Sequence, residues 1–296
     1  MEKNYISVND YCKKVFGEKV YKLALSASTN CPNRDGTCGV GGCSFCSAGG
    51  SGDFAQKAYL PIEQQIANAK LLLKNKVENI KYIAYFQSFT GTHGNLEYLE
   101  KVYTQAIMHK DIVAISIATR PDCLGDKAME MLTRLSKIKP LWVELGLQTI
   151  NENTAKNFNR GYALDVYESA IKKLKNINAH IITHIILGLP NETKSDMIET
   201  CKYVSDKTDG IKLQLLHVLK GTRLEKNYLN NEFKTLEADE YYNLIADILD
   251  ILPKDMIIHR LTGDGAKKDL IAPLWSGNKK RVLNDLNKIL KYRNCR

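Results

Sequence analysis

Residues 80–118 read IKYIAYFQSFTGTHGNLEYLEKVYTQAIMHKDIVAISIA. Two apolar, β-branched runs, at 80–86 and 112–118, flank a stretch in which Leu96, Leu99, Tyr103 and Ala106 share one helical face. Nearly continuous apolarity is the pattern of a strand buried on both sides, and the three- and four-residue spacing is that of an amphipathic helix. Strand, helix and second strand make a βαβ unit, the repeating part of a parallel sheet.

The same rhythm recurs on either side. Further runs begin at Leu141 (LWVELGL), His180 (HIITHIIL) and Ile211 (IKLQLL), and an earlier one begins at Val20 (VYKLAL). From the second run onward the starts lie 32, 29, 39 and 31 residues apart. Helical stripes fill the gaps: Ile62, Ile66, Ala69 and Leu73; Ala128, Met131, Leu132 and Leu135; Val166, Ala170 and Leu174; Met197, Cys201 and Val204; Leu244, Ile248 and Ile251. Thr193, with Asp196 three residues on, predicts a capped helix start. Right-handed crossovers wind such units into an open doubly wound sheet or a barrel, and six units fall short of the eight of a closed barrel. The tail from Asn278 (NKKRVLNDLNKILKYRNCR) reads as a basic closing helix.

The composition is that of a soluble globular protein: 296 residues, 44% apolar and 25% charged, which excludes collagen, coiled coil and wholesale disorder. No apolar run approaches the ~18 residues of a membrane span, and residues 1–10 hold no hydrophobic leader core, so the expected location is cytoplasmic, with no membrane partner. Lys and Arg number 42 against 33 Asp and Glu, a net +9. That charge attracts polyanions such as nucleic acid, and equally serves as a solubility margin.

Of eight cysteines, Cys12, Cys123, Cys201 and Cys295 stand singly, while Cys31, Cys38, Cys43 and Cys46 lie in one Gly-rich segment, CPNRDGTCGVGGCSFC. Two metal readings compete. Four thiolates suit tetrahedral zinc, although only Cys43 and Cys46 form the CxxC pair that such sites favour. Three thiolates suit an iron–sulfur cluster with one open iron. On that second reading Cys43 and Cys46 are joined by Cys31, at the mouth of the first strand, or by Cys38, in the middle of the loop.

CPNRDGTCGVGGCSFC, together with YFQSFTGTHG, IATRPDCL, VELGLQT, NRGY, HIILGLPNET and LLHVLKGTRLE, resembles the YtqA/YhcC-like (MnmL-type) family of radical S-adenosylmethionine (SAM) proteins. These are relatives of the radical domain in the Elongator catalytic subunit. The resemblance covers nearly the whole chain. It implies an α/β fold, a partial (β/α)6 TIM-like barrel with a C-terminal helical extension. The barrel core with its cysteine loop would occupy residues 1–236, and the extension, 237–296, would pack on the same domain. It implies a 4Fe-4S cluster held by Cys31, Cys43 and Cys46, with Cys38 an extra thiol, and SAM as the second cofactor.

Carried over position by position, the resemblance implies SAM contacts. Phe45 would pack on adenine, and Ser88 and Thr90 would stand in for a family Gly-Gly-Glu stretch absent here. Thr119, Gln148 and His184 would face the ribose, Gln148 also the methionine portion; Arg160 would clamp the methionine carboxylate. The backbone around Gly188 and Val218 would meet adenine. Glu144 interrupts an apolar strand and requires a polar cavity or a cation. Arg120 and Asp122 would brace a loop or touch substrate. Arg260 and Asp264 are candidate substrate contacts, and Lys267, Lys268, Lys279, Lys280 and Arg281 a candidate phosphate-binding face. The implied activity is reductive cleavage of SAM to modify a tRNA wobble uridine, converting its carboxymethylaminomethyl group to aminomethyl. The implied partners are tRNA, an electron donor such as flavodoxin or ferredoxin, and a downstream methyltransferase. The alternatives are radical chemistry on a small metabolite or peptide, and a zinc-stabilised nucleic-acid-binding protein without catalysis.

Overall fold

All six apolar runs are strands in the computed structural model, which describes residues 5–50, 52–73, 80–263, 265 and 267–293. In chain order the strands are β1 (Ile6–Ser7), β2 (Val20–Leu25), β3 (Lys81–Phe86), β4 (Ile112–Thr119), β5 (Leu141–Gln148), β6 (His180–Leu187), β7 (Gly210–Leu215), β8 (Val218–Leu219), β9 (Ile257–Arg260) and β10 (Leu270–Ala272). The helices are α1 (Val8–Phe16), α2 (Ile62–Leu71), α3 (Leu96–Met108), α4 (Asp126–Ser136), α5 (Glu152–Asn157), α6 (Leu164–Lys175), α7 (Lys194–Ser205), α8 (Arg223–Leu229), α9 (Ala238–Ile251) and α10 (Lys279–Arg293).

Among the described residues, eight strands form one sheet in the order β1-β9-β7-β6-β5-β4-β3-β2, and every pairing in it is parallel. From β2 to β7 the spatial order follows the chain, as consecutive right-handed crossovers require. Helices coat the outer face. Leu99, Tyr103 and Ala106 of α3, Met131, Leu132 and Leu135 of α4, and Met197, Cys201 and Val204 of α7 are buried in one core with the strands. The sheet curls into a half-barrel. Lys22 of β2 lies 2.6 Å from Glu144 of β5 across three strand spacings, a contact that a flat sheet with about 4.8 Å between strands forbids.

The sheet departs from the six expected strands at one edge. The segment that carries Arg260 forms strand β9, paired with β7, and β1 adds beyond it. Both strands are too short for periodicity to mark them: β1 has two residues, and β9 has two buried positions followed by His259 and Arg260. The extension therefore builds part of the main sheet. The closing helix is α10, seated through buried Val282 and Leu286. Cys295 and Asp264 lie outside the described residues. Among the described residues no helix is long and apolar enough to cross a membrane.

The cap read at Thr193 is a reciprocal box: Asp196 N–H donates to Thr193 Oγ1 at 3.2 Å, and Thr193 N–H donates to Asp196 Oδ2 at 2.7 Å. Thr193→Ala is expected to lower unfolding free energy by about 1 kcal/mol. In urea titrations the midpoint should fall with the slope unchanged.

Candidate active site

The C-terminal ends of β2 to β7 open on a cavity of about 220 Å³. Loops after the strands form its upper wall, and strand side chains form its floor. This is the end of a parallel α/β barrel where sites gather, because each strand delivers a side chain and a loop to one point.

The upper wall is the cysteine loop after β2. Its shape comes from two residues of the CPNRDG stretch. Asn33 is fully buried; its Nδ2 donates to Asn159 O at 2.5 Å and lies 3.7 Å from Cys43 Sγ. A Cβ at Gly39 would meet Asn33 Oδ1 at 2.3 Å, so the chain passes there only as glycine. Arg34 donates to Ser47 O at 2.6 Å and to Cys46 O and Ala48 O at 3.2 Å, tying the two halves of the loop. Gly42, at φ +73°, lies against the Arg34 side chain. Asp35 meets Thr37 at 2.7 Å and His93 at 2.7 Å, and the hydrogen bonds from Thr37 and then His93 hold its carboxyl down at about 2.

Cys31, Cys43 and Cys46 all line the cavity. Cys38 does not; it is exposed, 3.7 Å from Arg120 and 4.0 Å from Asp122. Burial, and next the neighbouring Cys46, push the Cys43 thiol up to about 12, so this sulfur needs cationic charge to ionise. Among the described residues no three His, Cys, Asp or Glu side chains are set to hold a single metal ion. Three thiols facing one space, with the fourth turned away, match the donor set of a cluster with one open iron and not that of four-thiolate zinc. The implied second cofactor has a matching observation: Thr90 is among the residues around the cavity, and its Oγ1 is buried with no hydrogen-bond partner among the described residues.

The floor centres on Glu144, fully buried in β5. Its Oε1 accepts from Lys22 of β2 at 2.6 Å and from Ser116 of β4 at 2.8 Å. Its Oε2 accepts from Tyr85 of β3 at 2.9 Å, from His184 of β6 at 2.7 Å, and from Lys212 of β7. Burial opposes the charge on Glu144, but Lys212 and then Lys22 outweigh it and hold the carboxyl well below its ordinary range. Burial, and next Lys212, push His184 down to about 4, so it donates as a neutral ring. In the sequence Glu144 and His184 stand out as polar residues inside apolar strands. Lys22 in VYKLAL and Lys212 in IKLQLL carry the same signal, a single charge inside an apolar run.

The expected SAM contacts divide. Phe45, Thr90, Thr119, Gln148, Arg160 and His184 line the cavity. Phe45 packs on Phe158 with ring centres 5.3 Å apart, and the Thr119 hydroxyl already shares a 2.5 Å bond with Thr92. Ser88 and Val218 do not line it. Ser88 turns its hydroxyl toward Gly52, because alternation from β3 places Tyr85, Gln87 and Phe89 on the cavity side and Ser88 on the other. Val218 is fully buried in β8, and its neighbours His217 and Leu219 face the cavity, as strand alternation dictates. Arg160 touches the cavity, but its guanidinium donates to Tyr162 O at 2.9 Å, Thr149 O at 2.8 Å and Glu152 at 3.0 Å. It serves first as a brace for the β5 loop. Arg120 and Asp122 form a two-point pair at 2.9 and 2.6 Å. Arg260 lines the cavity. Lys280 and Arg281 lie on exposed α10, away from Lys267 and Lys268, which open a separate short turn.

A family model described as the Radical SAM superfamily matches residues 27–204, and one described as the Radical SAM C-terminal domain matches residues 208–292. The chain is 45% identical to the Bacillus subtilis protein YtqA over 293 residues, which is 99% of this chain and 91% of that protein. It is 33% identical to Escherichia coli Protein YhcC, covering 93% of this chain and 88% of that one. Elongator complex protein 3 of Schizosaccharomyces pombe is 28% identical over 55% of this chain and 29% of its own length. Among solved structures, the archaeal Methanocaldococcus infernus Elp3 lacking its N-terminus superposes with a TM-score of 0.71 at 18% identity. That match covers 94% of this chain and 64% of that one, and shows the shared fold.

Arg160 is 1% exposed and donates to the carbonyls of Leu147, Thr149 and Tyr162 and to the Glu152 carboxylate. Arg160→Met is expected to cost about 3 kcal/mol of unfolding free energy. Arg160→Lys should recover little of it, because an ammonium lacks the planar fork. Chemical denaturation of the protein without cofactors measures both.

Proposed function

The chain belongs to the Radical SAM superfamily, and from that premise we propose that it cleaves S-adenosylmethionine reductively at a 4Fe-4S cluster to modify the side chain of a tRNA wobble uridine, carboxymethylaminomethyl to aminomethyl. The observation that carries the reading is that three of the loop's four cysteines, Cys31, Cys43 and Cys46, open into the one cavity at the strand ends. These three would hold the cluster. When bound, cluster and SAM together supply a carbon radical able to take hydrogen from an unactivated C–H bond.

The chain's own residues do the rest. Asn33 and Arg34 hold the loop in a shape that keeps the three sulfurs on one side. Thr90, at the cavity wall, has a buried hydroxyl that no described residue satisfies and that a polar group of the cofactor would complete. Phe45, Ile186 and Leu216 give the wall an apolar surface that excludes water and stray hydrogen donors. The tRNA part of the reading is supported by the family resemblance and by the net charge of +9, with Lys280 and Lys291 on exposed α10 beside Arg281 and Lys288, which pair with Asp285. An electron donor such as flavodoxin or ferredoxin supplies the electron, and a methyltransferase takes the aminomethyl product onward.

Two measurements check this. Anaerobically reconstituted protein should show thiolate-to-iron absorbance near ~400 nm and form 5′-deoxyadenosine with dithionite. Cys31→Ala, Cys43→Ala and Cys46→Ala should each lose the absorbance, and Cys38→Ala should keep it; loss on Cys38→Ala would overturn the ligand set. Mass spectrometry of tRNA nucleosides from cells with and without the gene should show carboxymethylaminomethyl uridine accumulating in the deletion. If no tRNA nucleoside changes, the tRNA substrate falls and the radical chemistry stands.

A further inference from the structure

Two amines, of Lys22 and Lys212, meet the single carboxylate of Glu144 at the cavity floor, and Arg260 lines the same cavity. Glu144 is bound by two ammonium groups, Lys22 on Oε1 and Lys212 on Oε2, and Ser116, Tyr85 and neutral His184 add no charge. Lys212 is 3% exposed and lines the cavity. Its ammonium donates to Glu144 and, at 2.8 Å, to the Tyr85 hydroxyl. An ammonium has three N–H groups, so one remains without a partner among the described residues. Burial drives the charged form of Lys212 down, and Lys22 and Arg260 add to this against Glu144. Keeping a buried ammonium charged costs several kcal/mol, by the usual cost of desolvated ions. Such a cation is sustained when an anion completes it.

We propose that Lys212, backed by Lys22, is a subsite for a single carboxylate of the substrate at the cavity floor. Arg260 lines the same cavity and adds to the positive field there, so the floor favours an anionic end of the substrate, and the carboxymethyl group of the proposed substrate supplies one. Gln214 lies two residues along β7 on the same face and also lines the cavity, and it offers an amide to the second carboxylate oxygen. Lys212 is the third residue of β7, below the strand ends that carry the cysteine loop, so the anchored group hangs beneath the cluster site. The inference rests on the reading of this cavity as the place where substrate hydrogen is taken. It assigns to the floor the acidic end of the group being shortened.

Equilibrium binding to the anaerobically reconstituted, SAM-loaded protein tests it with two ligand pairs. One pair is 5-carboxymethylaminomethyluridine and its carboxamide; the other is N-ethylglycine and N-ethylglycinamide. The wild-type protein is expected to bind the carboxylate about tenfold or more tighter than the amide, the scale of one charge-assisted hydrogen bond. Lys212→Met should bring the ratio close to one. Equal affinities within both pairs in the wild type overturn the subsite, and this result stands even if the variant does not fold. A preference that survives Lys212→Met also overturns it. A preference in the N-ethylglycine pair, with neither nucleoside bound, keeps the subsite and removes the wobble uridine.

Discussion

One carboxylate organises the barrel. Glu144 takes a hydrogen bond or ion pair from a residue on each of the five other central strands: Lys22, Tyr85, Ser116, His184 and Lys212. A lone buried carboxylate would cost several kcal/mol. The sequence therefore tolerates Glu144 only in a sheet curled tightly enough for β2 and β7 to reach it from opposite sides. The ion pairs add little net stability over an apolar core of the same volume; what they enforce is curvature and register. A one-residue slip in any of these strands would turn its partner out of the barrel and leave the carboxylate short.

The cysteine loop depends on that curvature. It leaves β2 at one edge of the sheet, yet its contacts reach the far side: Ser44 N–H donates to Phe158 O, Arg223 donates to Gly42 O, and Leu224 N–H donates to Ser44 O. Asn33 reaches Asn159 in the loop before α6. The sulfurs are thus positioned by α5 and α8 as well as by their own glycines. The walls of the cavity are protein on all of these sides, which raises the strength of every charge interaction inside.

The same geometry separates two roles that the polar residues of the strand ends share. Arg160, Arg120 and Thr119 touch the cavity but spend their donors on Thr149, Asp122 and Thr92, so they hold loops in place. Thr90 and Lys212, both at the cavity, keep hydrogen-bonding capacity that no described residue takes up. Satisfied groups there make the frame, and unsatisfied ones make the site.

Periodicity alone settled much of this protein. Each of the six long strands and the helices α2, α3, α4, α6, α7 and α9 follows from apolar spacing, because burying a face is what makes those segments regular. The cysteine spacing and the neighbouring motifs pointed to the family, since loop chemistry is local. Tertiary structure decided the rest. Strands β1 and β9 are too short to carry a period and exist only because an edge was open to pair with. Ser88 and Val218 look equivalent to Thr90 and His217 along the chain, yet alternation faces both away from the cavity. Lys22 and Glu144 are separated by 122 residues and Glu144 and Lys212 by 68. No local rule links such positions; they meet because the sheet closes far enough to bring its charges to one point.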